Sequence, residues 1–293
     1  MAECRVEIDP TAGFCFGVEK AITMAEELLK GGAEVYGLGH MVHNEEEIGR
    51  LADLGLKTIN LEELGGLRNA QVVLRAHGEP PSTYELARKN KIKLVDATCP
   101  IVIKLQDRIA RKYKEINPAE EQIVIFGKAG HPESIGLIGQ TNGTAVLVTD
   151  PDDLSAIDPG KKVILFSQTT MDPDRFHLLE ENLGKYVKGV EKESLVSHCT
   201  ICGQMKKRKP GLKQFALSHD VMVFVSGSKS SNGAMLYRYC KSLNPKTYWV
   251  HSAEAVDPEW LKDTSSVGIS GATSTPAWQL EQVRDKILLL IKD

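Results

Sequence analysis

The stretch Val95-Asp96-Ala97-Thr98-Cys99-Pro100 ends a β-like run in a cysteine, and an amphipathic helix-like stretch follows it directly. A thiol at a helix N-terminus is biased toward thiolate by the helix dipole and the free backbone amides, and thiolate is the metal-binding form. The same pattern surrounds Cys15, and Cys202 also follows a β-like run. Three such thiols from three successive parts of the chain suggest one shared metal cofactor.

Each cysteine is followed by two polar loops, and each loop comes directly after a strand-like run. The first polar loops are marked by His43, His131 and Asn232, which lie 28, 32 and 30 positions after the respective cysteines. The second polar loops are marked by His77, Thr169 and Ser274, which lie 62, 70 and 72 positions after the respective cysteines. This register predicts three copies of one structural unit.

Strand-like runs that alternate with helix-like stretches predict parallel βαβ units, so the expected fold class is α/β with three pseudo-threefold-related domains. The predicted domains are residues 14–98, 99–199 and 200–293. The last one lacks a strand after its final helix, and we expect residues 1–13 to supply it. Ligands bind beyond the carboxyl ends of parallel strands, so the cysteines and polar loops are expected to meet in one cavity. Ordinary turn chemistry is the alternative explanation for any single loop.

Composition is that of a soluble globular protein with two or three domains: 293 residues, 42% hydrophobic and 26% charged. The net charge of −3 predicts neither a nucleic-acid nor a membrane partner. No apolar stretch approaches the roughly 20 residues of a membrane-spanning helix. A strand-like pattern starts near the N-terminus, where no signal peptide is visible. Six cysteines without secretory features are a poor disulfide framework, so we expect a cytoplasmic protein with reduced thiols.

Three cysteines without an evident fourth favour a cubane iron–sulfur cluster, in which one iron keeps an open position for substrate. Structural zinc is the alternative, and the Cys199-x-x-Cys202 spacing would suit it, although zinc knuckles usually need a second pair close by. Cys199 is a spare thiol, a redox neighbour of Cys202 or, as we expect, a buried bystander. Cys4 and Cys240 are expected to fill the core.

The polar loops have the composition of an anion site. His43, His77 and His131 can each donate to phosphate oxygens, and helix N-termini behind the loops favour negative charge. Neutral donors are added by Ser230, Ser231, Asn232 and Ser274. A lone histidine is more often a turn residue, but three at matched loop positions favour a function.

Glu133, two residues after His131, is the carboxylate that we expect beside the anion and the metal. Desolvation would raise its pKa and suit it to deliver protons. The alternative is an acidic residue that caps a helix beginning at Ser134. Thr169 and Thr170 would relay a proton or hold a substrate hydroxyl.

Nine motifs occur in an order that resembles the 4-hydroxy-3-methylbut-2-enyl diphosphate reductase family, iron–sulfur reductases that complete the non-mevalonate isoprenoid pathway. The resemblance covers essentially the whole chain. The motifs are Gly13-Phe14-Cys15-Phe16-Gly17-Val18, His43-Asn44, Ala76-His77-Gly78, Asp96-Ala97-Thr98-Cys99-Pro100, Gly130-His131-Pro132-Glu133, Gln168-Thr169-Thr170, Thr200-Ile201-Cys202, Ser230-Ser231-Asn232 and Ser274-Thr275-Pro276.

The resemblance implies three α/β domains around a central [4Fe–4S] cluster with one unique iron. It implies that an allylic alcohol diphosphate is dehydroxylated with two electrons, from a donor such as ferredoxin or flavodoxin, to isopentenyl and dimethylallyl diphosphate. The implied cluster ligands are Cys15, Cys99 and Cys202. The implied catalytic residues are Glu133, Thr169 and His131. The implied substrate-binding residues are His43, His77, His131, Thr169, Ser230, Ser231, Asn232 and Ser274.

The run Gly203–Pro210 departs from the family pattern, which commonly has an asparagine- or threonine-rich run ending in Arg-Gln. Only Arg208 can keep that arginine, and Pro210 predicts a helix that starts late. The basic run 206–209 is expected to be a solvated face, or else a docking patch for an acidic electron donor. The departure leaves open a related reductase or dehydratase acting on another phosphorylated alcohol. A non-catalytic iron–sulfur redox protein is the second alternative.

Overall fold

The computed structural model describes residues 4–32, 34–187 and 194–292. Within these ranges the strands form three four-stranded sheets, and the strands pair in parallel. The three parallel-sheet α/β domains confirm the predicted fold class.

The helices and strands follow one another in the alternating order that the sequence predicts. The first third contains β1 (Arg5–Ile8), α1 (Phe16–Lys30), β2 (Val35–Leu38), α2 (Glu45–Asp53), β3 (Lys57–Ile59), α3 (Leu61–Gly66), β4 (Gln71–Leu74), α4 (Pro81–Lys89) and β5 (Lys93–Asp96). The second contains α5 (Pro100–Glu115), β6 (Glu121–Phe126), α6 (Pro132–Gly139), β7 (Val146–Val148), β8 (Lys162–Ser167), α7 (Pro173–Tyr186) and β9 (Leu195–Ser197). The last contains α8 (Gly203–Leu217), β10 (Val221–Val225), α9 (Ser231–Leu243), β11 (Thr247–Val250), β12 (Ser266–Gly271) and α10 (Ala277–Lys292).

The three sheets share one strand order. They run β3-β2-β4-β5, β7-β6-β8-β9 and β11-β10-β12-β1. In each sheet the two middle strands lead into the polar loops, and the strand at one edge leads toward a cysteine. β1 belongs to the sheet of the last third because it pairs with β12, with Arg5 opposite Ser266 and Ile8 opposite Ile269.

The middle strands are buried on both faces, which explains their continuous apolar sequences. Every residue of β10 is buried, and β6 and β8 end in the fully buried Phe126 and Phe166–Ser167. Full burial of a phenylalanine side chain contributes about 1.5–3 kcal/mol to the stability of the fold. These rigid strands fix the loops at their carboxyl ends.

The contacts divide the chain into two compact units. The first compact unit consists of Met1–Ala33, His40–Lys57 and Gly203–Asp293, and it holds the sheet of β1 and β10 to β12. The second compact unit consists of Glu34–Gly39 and Thr58–Cys202, and it holds the other two sheets.

Helix α8 runs through Pro210, so the prediction of a late helix start is wrong. The proline removes one N–H donor from the helix. The helix is anchored on both sides of this position, because Arg208, Leu212 and Ala216 are buried.

No helix in the part of the chain that the structure describes is long and apolar enough to cross a membrane.

Candidate active site

The backbone N–H of each predicted cluster ligand donates to a carbonyl of a second polar loop, and this contact recurs in all three sheets. The pairs are Cys15 with Thr273 (3.2 Å), Cys99 with Ala76 (3.0 Å) and Cys202 with Thr169 (2.9 Å). Ala76 and Thr273 directly precede His77 and Ser274. Each predicted ligand is therefore fixed at the base of a second polar loop.

The three thiols have the setting of metal ligands. Cys15 and Cys99 occupy the N-cap positions of α1 and α5, and Cys202 directly precedes α8. All three are partly buried, and none of them forms a disulfide bond within the described residues. Because helix N-termini favour thiolate and iron–sulfur clusters are held by thiolates, this donor set fits such a cluster.

The other cysteines differ from these three. Cys199 is exposed, so the expectation that it is buried is wrong. It follows β9, a three-residue strand at the edge of its sheet. Cys240 is fully buried in the core, as expected, and burial raises the pKa of its thiol to about 11. Cys4 is only partly buried and packs against the core of the first compact unit.

Glu133 is buried, with 1% of its surface exposed, and both of its carboxylate oxygens contact Thr169. Its Oε1 accepts from the Thr169 N–H at 2.7 Å, and its Oε2 accepts from the Thr169 hydroxyl at 2.9 Å. Desolvation raises the pKa of Glu133 to about 7, although these two hydrogen bonds act in the opposite direction. Near neutral pH this carboxyl group can therefore both hold and release a proton.

Thr169 connects Glu133 to Cys202. Its N–H and hydroxyl bind the carboxylate, while its carbonyl accepts from the Cys202 N–H. Thr200 fastens the same segment, because its hydroxyl donates to the Ser167 carbonyl at 2.6 Å and accepts from the Ser167 N–H at 2.8 Å. A proton-carrying group and a candidate metal ligand thus share one hydrogen-bonded segment.

His131, not Glu133, caps helix α6. The helix begins at Pro132 rather than Ser134, and the His131 Nδ1 accepts from the Glu133 N–H at 3.2 Å. A ring nitrogen that accepts is unprotonated, so the neutral ring carries its proton on Nε2 as a donor. The rings of His77 and His131 lie edge to face, with centroids 5.3 Å apart. The capping explanation for Glu133 is therefore wrong.

Gln106 holds these loops together and was not singled out from the sequence. This buried side chain of α5 donates from Nε2 to the Glu79 carbonyl at 3.2 Å. A Cβ atom would approach Nε2 to 2.7 Å at Gly78 and to 2.9 Å at Gly136, so a larger residue at either position would displace the Gln106 side chain. Gly78 also has a φ of +74°, which favours glycine. The one signal in the sequence is an amide on the apolar face of α5.

In the first compact unit, the predicted phosphate donors gather at the N-terminus of α9. Ser230 caps the helix by accepting from the Gly233 N–H at 3.0 Å, and its Oγ lies 3.1 Å from the Ser274 Oγ. Ser230, Ser231, Asn232 and Ser274 are all buried. The first turn of this 13-residue helix contains no acidic residue, so its N-terminus can bind an anion.

Asn232 links this helix terminus to Cys15 through Thr273. The Asn232 Oδ1 accepts from the Thr273 N–H at 2.8 Å and from its hydroxyl at 3.2 Å. The Thr273 carbonyl accepts in turn from the Cys15 N–H. A candidate phosphate ligand and a candidate metal ligand are therefore two hydrogen bonds apart.

His43 lies in a loop that the structure also brings to α9. The following residue, Asn44, caps α2 through the Glu47 N–H at 3.0 Å and donates to the Gln279 Oε1 at 2.7 Å. A Cβ atom at Gly227, in the loop before α9, would lie 2.5 Å from the His43 carbonyl oxygen. Glycine thus allows the two loops to touch.

Arg208 is buried, so the prediction that the run 206–209 is a solvated face is wrong at this residue. Its guanidinium donates to the carbonyls of Gly271, at 2.6 Å, and of Thr11. A buried charge needs such partners. These contacts tie the segment before Cys15 to the end of β12.

The chain is similar over nearly its whole length to known proteins of one family. A family model described as LytB protein matches residues 6–288. A relative from Bacteroides thetaiotaomicron, named 4-hydroxy-3-methylbut-2-enyl diphosphate reductase, is 46% identical over 289 residues, or 99% of each chain. A relative of the same name from Chlorobaculum tepidum is 41% identical and covers 97% of this chain and 96% of its own.

Two solved structures match nearly the whole chain. One is (E)-4-hydroxy-3-methyl-but-2-enyl diphosphate reductase, the terminal enzyme of the non-mevalonate pathway, with a TM-score of 0.71, 35% identity and coverage of 98% and 100%. The other is the E-1-hydroxy-2-methyl-but-2-enyl-4-diphosphate reductase from Plasmodium falciparum, with a TM-score of 0.83, 26% identity and coverage of 99% and 89%. The chain belongs to the LytB protein family, which confirms the resemblance found in its motifs.

Glu133 should make the stability of the fold depend on pH. The folded protein keeps this carboxyl protonated up to about pH 7, whereas the unfolded chain releases the proton near the ordinary value of 4.5. Between these values the unfolded state binds fewer protons, so stability falls as pH rises. The loss amounts to about 3 kcal/mol, at 1.36 kcal/mol for each pKa unit.

Urea unfolding at pH 5 and pH 8 measures this effect. Glu133→Gln should remove the contribution of this carboxyl group to the pH dependence. The free energy of unfolding of the wild type should therefore fall more between pH 5 and pH 8 than that of the variant. The same pH dependence in both proteins would contradict the assigned pKa.

Proposed function

We propose that this chain is a reductase that converts 4-hydroxy-3-methylbut-2-enyl diphosphate to isopentenyl and dimethylallyl diphosphate. Each turnover consumes two electrons and two protons, breaks the allylic C–O bond and releases the hydroxyl group as water. The observation that carries the proposal is the hydrogen-bonded run from Glu133 through Thr169 to Cys202. A protein that only carries electrons has no need of a buried proton donor beside a metal-ligating cysteine.

We propose that Cys15, Cys99 and Cys202 hold a [4Fe–4S] cluster through three thiolates. When bound, such a cluster supplies the electrons and an open, Lewis-acidic iron for the substrate hydroxyl. The equivalent N–H contacts of the three cysteines support one common role.

The substrate diphosphate would be bound by the residues of the polar loops. The N-terminus of α9 presents Ser230, Ser231 and Asn232, and Ser274 lies next to Ser230. His43, His77 and His131 would add ring N–H donors, and His131 already carries its neutral-state proton on Nε2. Clamping the diphosphate fixes the allyl group in the orientation that reaction requires.

Glu133 and Thr169 would deliver a proton to the leaving hydroxyl. When Glu133 is protonated on Oε2, it donates to the Thr169 Oγ instead of accepting from it. The threonine hydroxyl hydrogen is then directed away from Glu133 and can bind the substrate oxygen. The 2.9 Å contact and the raised pKa support this relay.

We further propose that each sheet is the core of one domain, with bounds at residues 14–98, 99–199 and 200–293 and with residues 1–13 completing the last. The pairing of β1 with β12 supports this division. The absence of disulfide bonds among the described cysteines is compatible with a reducing compartment such as the cytoplasm.

An anaerobic assay with the allylic diphosphate and a low-potential reductant, followed by product identification, tests the function. We expect both diphosphate products. Protein that contains four irons but forms neither product would overturn the proposal. Turnover of another phosphorylated alcohol alone would identify a related reductase, and no turnover of any such alcohol would indicate a redox protein.

Replacing Asn232 with alanine should weaken substrate binding. The change removes an amide from the N-terminus of α9 and releases Thr273. A hydrogen bond to a charged group contributes about 1.5–3 kcal/mol, so we expect KM to rise roughly 10- to 100-fold while kcat changes less. Steady-state kinetics measures both quantities.

Asn182→Ala is the matched control, because Asn182 binds the Pro151 carbonyl and lies in no polar loop. It should leave KM unchanged. If Asn232→Ala lowers only the free energy of unfolding and leaves KM unchanged, Asn232 is a structural residue.

A further inference from the structure

Helix α5 presents an exposed stripe that the proposed mechanism does not use. Ile101, Lys104, Arg108 and Arg111 are exposed and recur every three or four residues, so they lie on one face of the helix. Ile101 is 42% exposed, and Ile103 in the same first turn is 37% exposed. The stripe thus begins with the apolar side chain of Ile101 and continues with basic ones, while Ile103 lies on a different face of the helix.

The charge of α5 contrasts with that of the whole chain. The helix carries five basic and two acidic side chains, whereas the chain has a net charge of −3. The helix dipole favours basic residues in the last turn, which accounts for Lys112 and Lys114. It does not account for Lys104 and Arg108, which lie farther toward the N-terminus.

A cavity of about 270 Å³ lies beside this stripe in the second compact unit. It is lined by Arg108, Arg111, Lys112, Phe166, Val196 and His198, together with Glu115. The Arg108 guanidinium lies 2.9 Å from the His198 Nδ1 and 5.8 Å from the centroid of the Phe166 ring. Burial, followed by the charges of Arg108 and Lys112, lowers the pKa of His198. The surface around the cavity is therefore preorganised and positive.

Both sides of the cavity lead to proposed cluster ligands. Cys99 is the N-cap of α5, and at about 1.5 Å per residue Lys104 and Arg108 lie about 8 Å and about 14 Å from it along the helix axis. On the other side, His198 precedes Cys202 by four residues. A protein bound to this stripe would be close to two of the three thiols.

We propose that the stripe of α5, with the adjoining cavity, is the docking surface for a small acidic electron-transfer protein. Charge complementarity selects this partner, and the apolar first turn supplies the contact nearest Cys99. The inference rests on the proposed function. Two one-electron donor molecules would each be oxidised once per turnover, while the substrate C–O bond is cleaved, two protons are consumed and water leaves.

This surface fits a donor better than the basic run after Cys202 does. Arg208 of that run is buried and bound to two carbonyls. In the same run Lys207 is exposed, but Lys209 is only partly exposed. On α5, by contrast, Lys104, Arg108 and Arg111 are all exposed.

Charge reversal tests the proposal, with purified acidic flavodoxin as the donor. In Arg108→Glu/Arg111→Glu, we expect KM for reduced flavodoxin to rise at least tenfold and the affinity for oxidised flavodoxin, measured by calorimetry, to fall equally. Turnover driven by dithionite-reduced methyl viologen should stay within twofold of the wild type. The wild-type affinity should decrease with added salt, and the dependence should be weaker in the variant.

Two further variants make the result specific. Lys104→Glu/Arg111→Glu leaves the contacts of Arg108 intact and should show the same defect. Arg88→Glu/Lys89→Glu makes the same charge change in the exposed last turn of α4 and should show none. An unchanged flavodoxin KM and affinity in both α5 variants, or an equal loss in the α4 control, would overturn the proposal.

Failure of the proposed function gives a different result. Wild-type protein would then form no product even with methyl viologen, while calorimetry with flavodoxin would still report on docking.

Discussion

Cys202→Ser should leave the purified protein without most of its iron, whereas Cys199→Ser, three residues earlier, should leave the iron content unchanged. A serine hydroxyl stays protonated at neutral pH and is a poor substitute for thiolate, so the proposed cluster would lose one of only three protein ligands. Cys202 is fixed by its N–H bond to Thr169, whereas Cys199 is exposed after an edge strand.

Iron and sulfide analysis of protein purified without oxygen measures the effect. The wild type and Cys199→Ser should contain about four of each per chain, as a cubane requires. The buried Cys240→Ser is a second control that should keep the iron. Zinc in place of iron, or loss of metal from Cys199→Ser alone, would show that the proposed ligand set is wrong.

Glu133→Gln should lower kcat by roughly 100- to 10,000-fold, the range expected for loss of a positioned general acid. Glutamine has a similar shape and keeps an oxygen for the Thr169 N–H, but it cannot release a proton at this position. Substrate affinity and the visible spectrum should therefore be nearly unchanged. Single-turnover rates, a binding isotherm and a spectrum together separate chemistry from binding.

The pH profile provides a second readout for Glu133. The active form is protonated, so wild-type kcat should fall about tenfold per unit as pH rises above roughly 7, and the residual activity of the variant should lack this decrease. Glu120→Gln, at an exposed position, is the matched control and should behave like the wild type. Full activity in Glu133→Gln would remove its assigned role.

The alternation of strands and helices could be predicted from the sequence because it depends on local patterns. The run Val221–Val225 is apolar throughout, as a strand buried on both faces must be. The positions of Cys15 and Cys99 at helix N-termini could be predicted for the same reason. The repetition of one structural unit in three parts of the chain could be predicted from the regular spacing of the polar loops, whereas the strand order within each sheet was not predicted.

Features that depend on tertiary contacts could not be predicted. The basic run 206–209 looks uniformly solvated, and only the rotation of α8 places Arg208 against the carbonyls of Thr11 and Gly271. Likewise, the sequence allows Glu133 to cap the helix, but the orientation of the His131 ring makes His131 the cap of α6. Gln106 can be recognised as an amide on the apolar face of α5, but its contacts with Glu79, Gly78 and Gly136 depend on the tertiary structure.

The contact between Cys15 and Thr273 has a consequence for how the protein is made. The Thr273 carbonyl that orients Cys15 is synthesised about 258 residues after it, roughly 13–50 s later at ordinary translation rates. Before Thr273 is synthesised, only Cys99 and Cys202 of the three proposed ligands can form their native N–H contacts. Assembly of the proposed cluster would therefore find all three thiols in their final setting only after Thr273 has been synthesised.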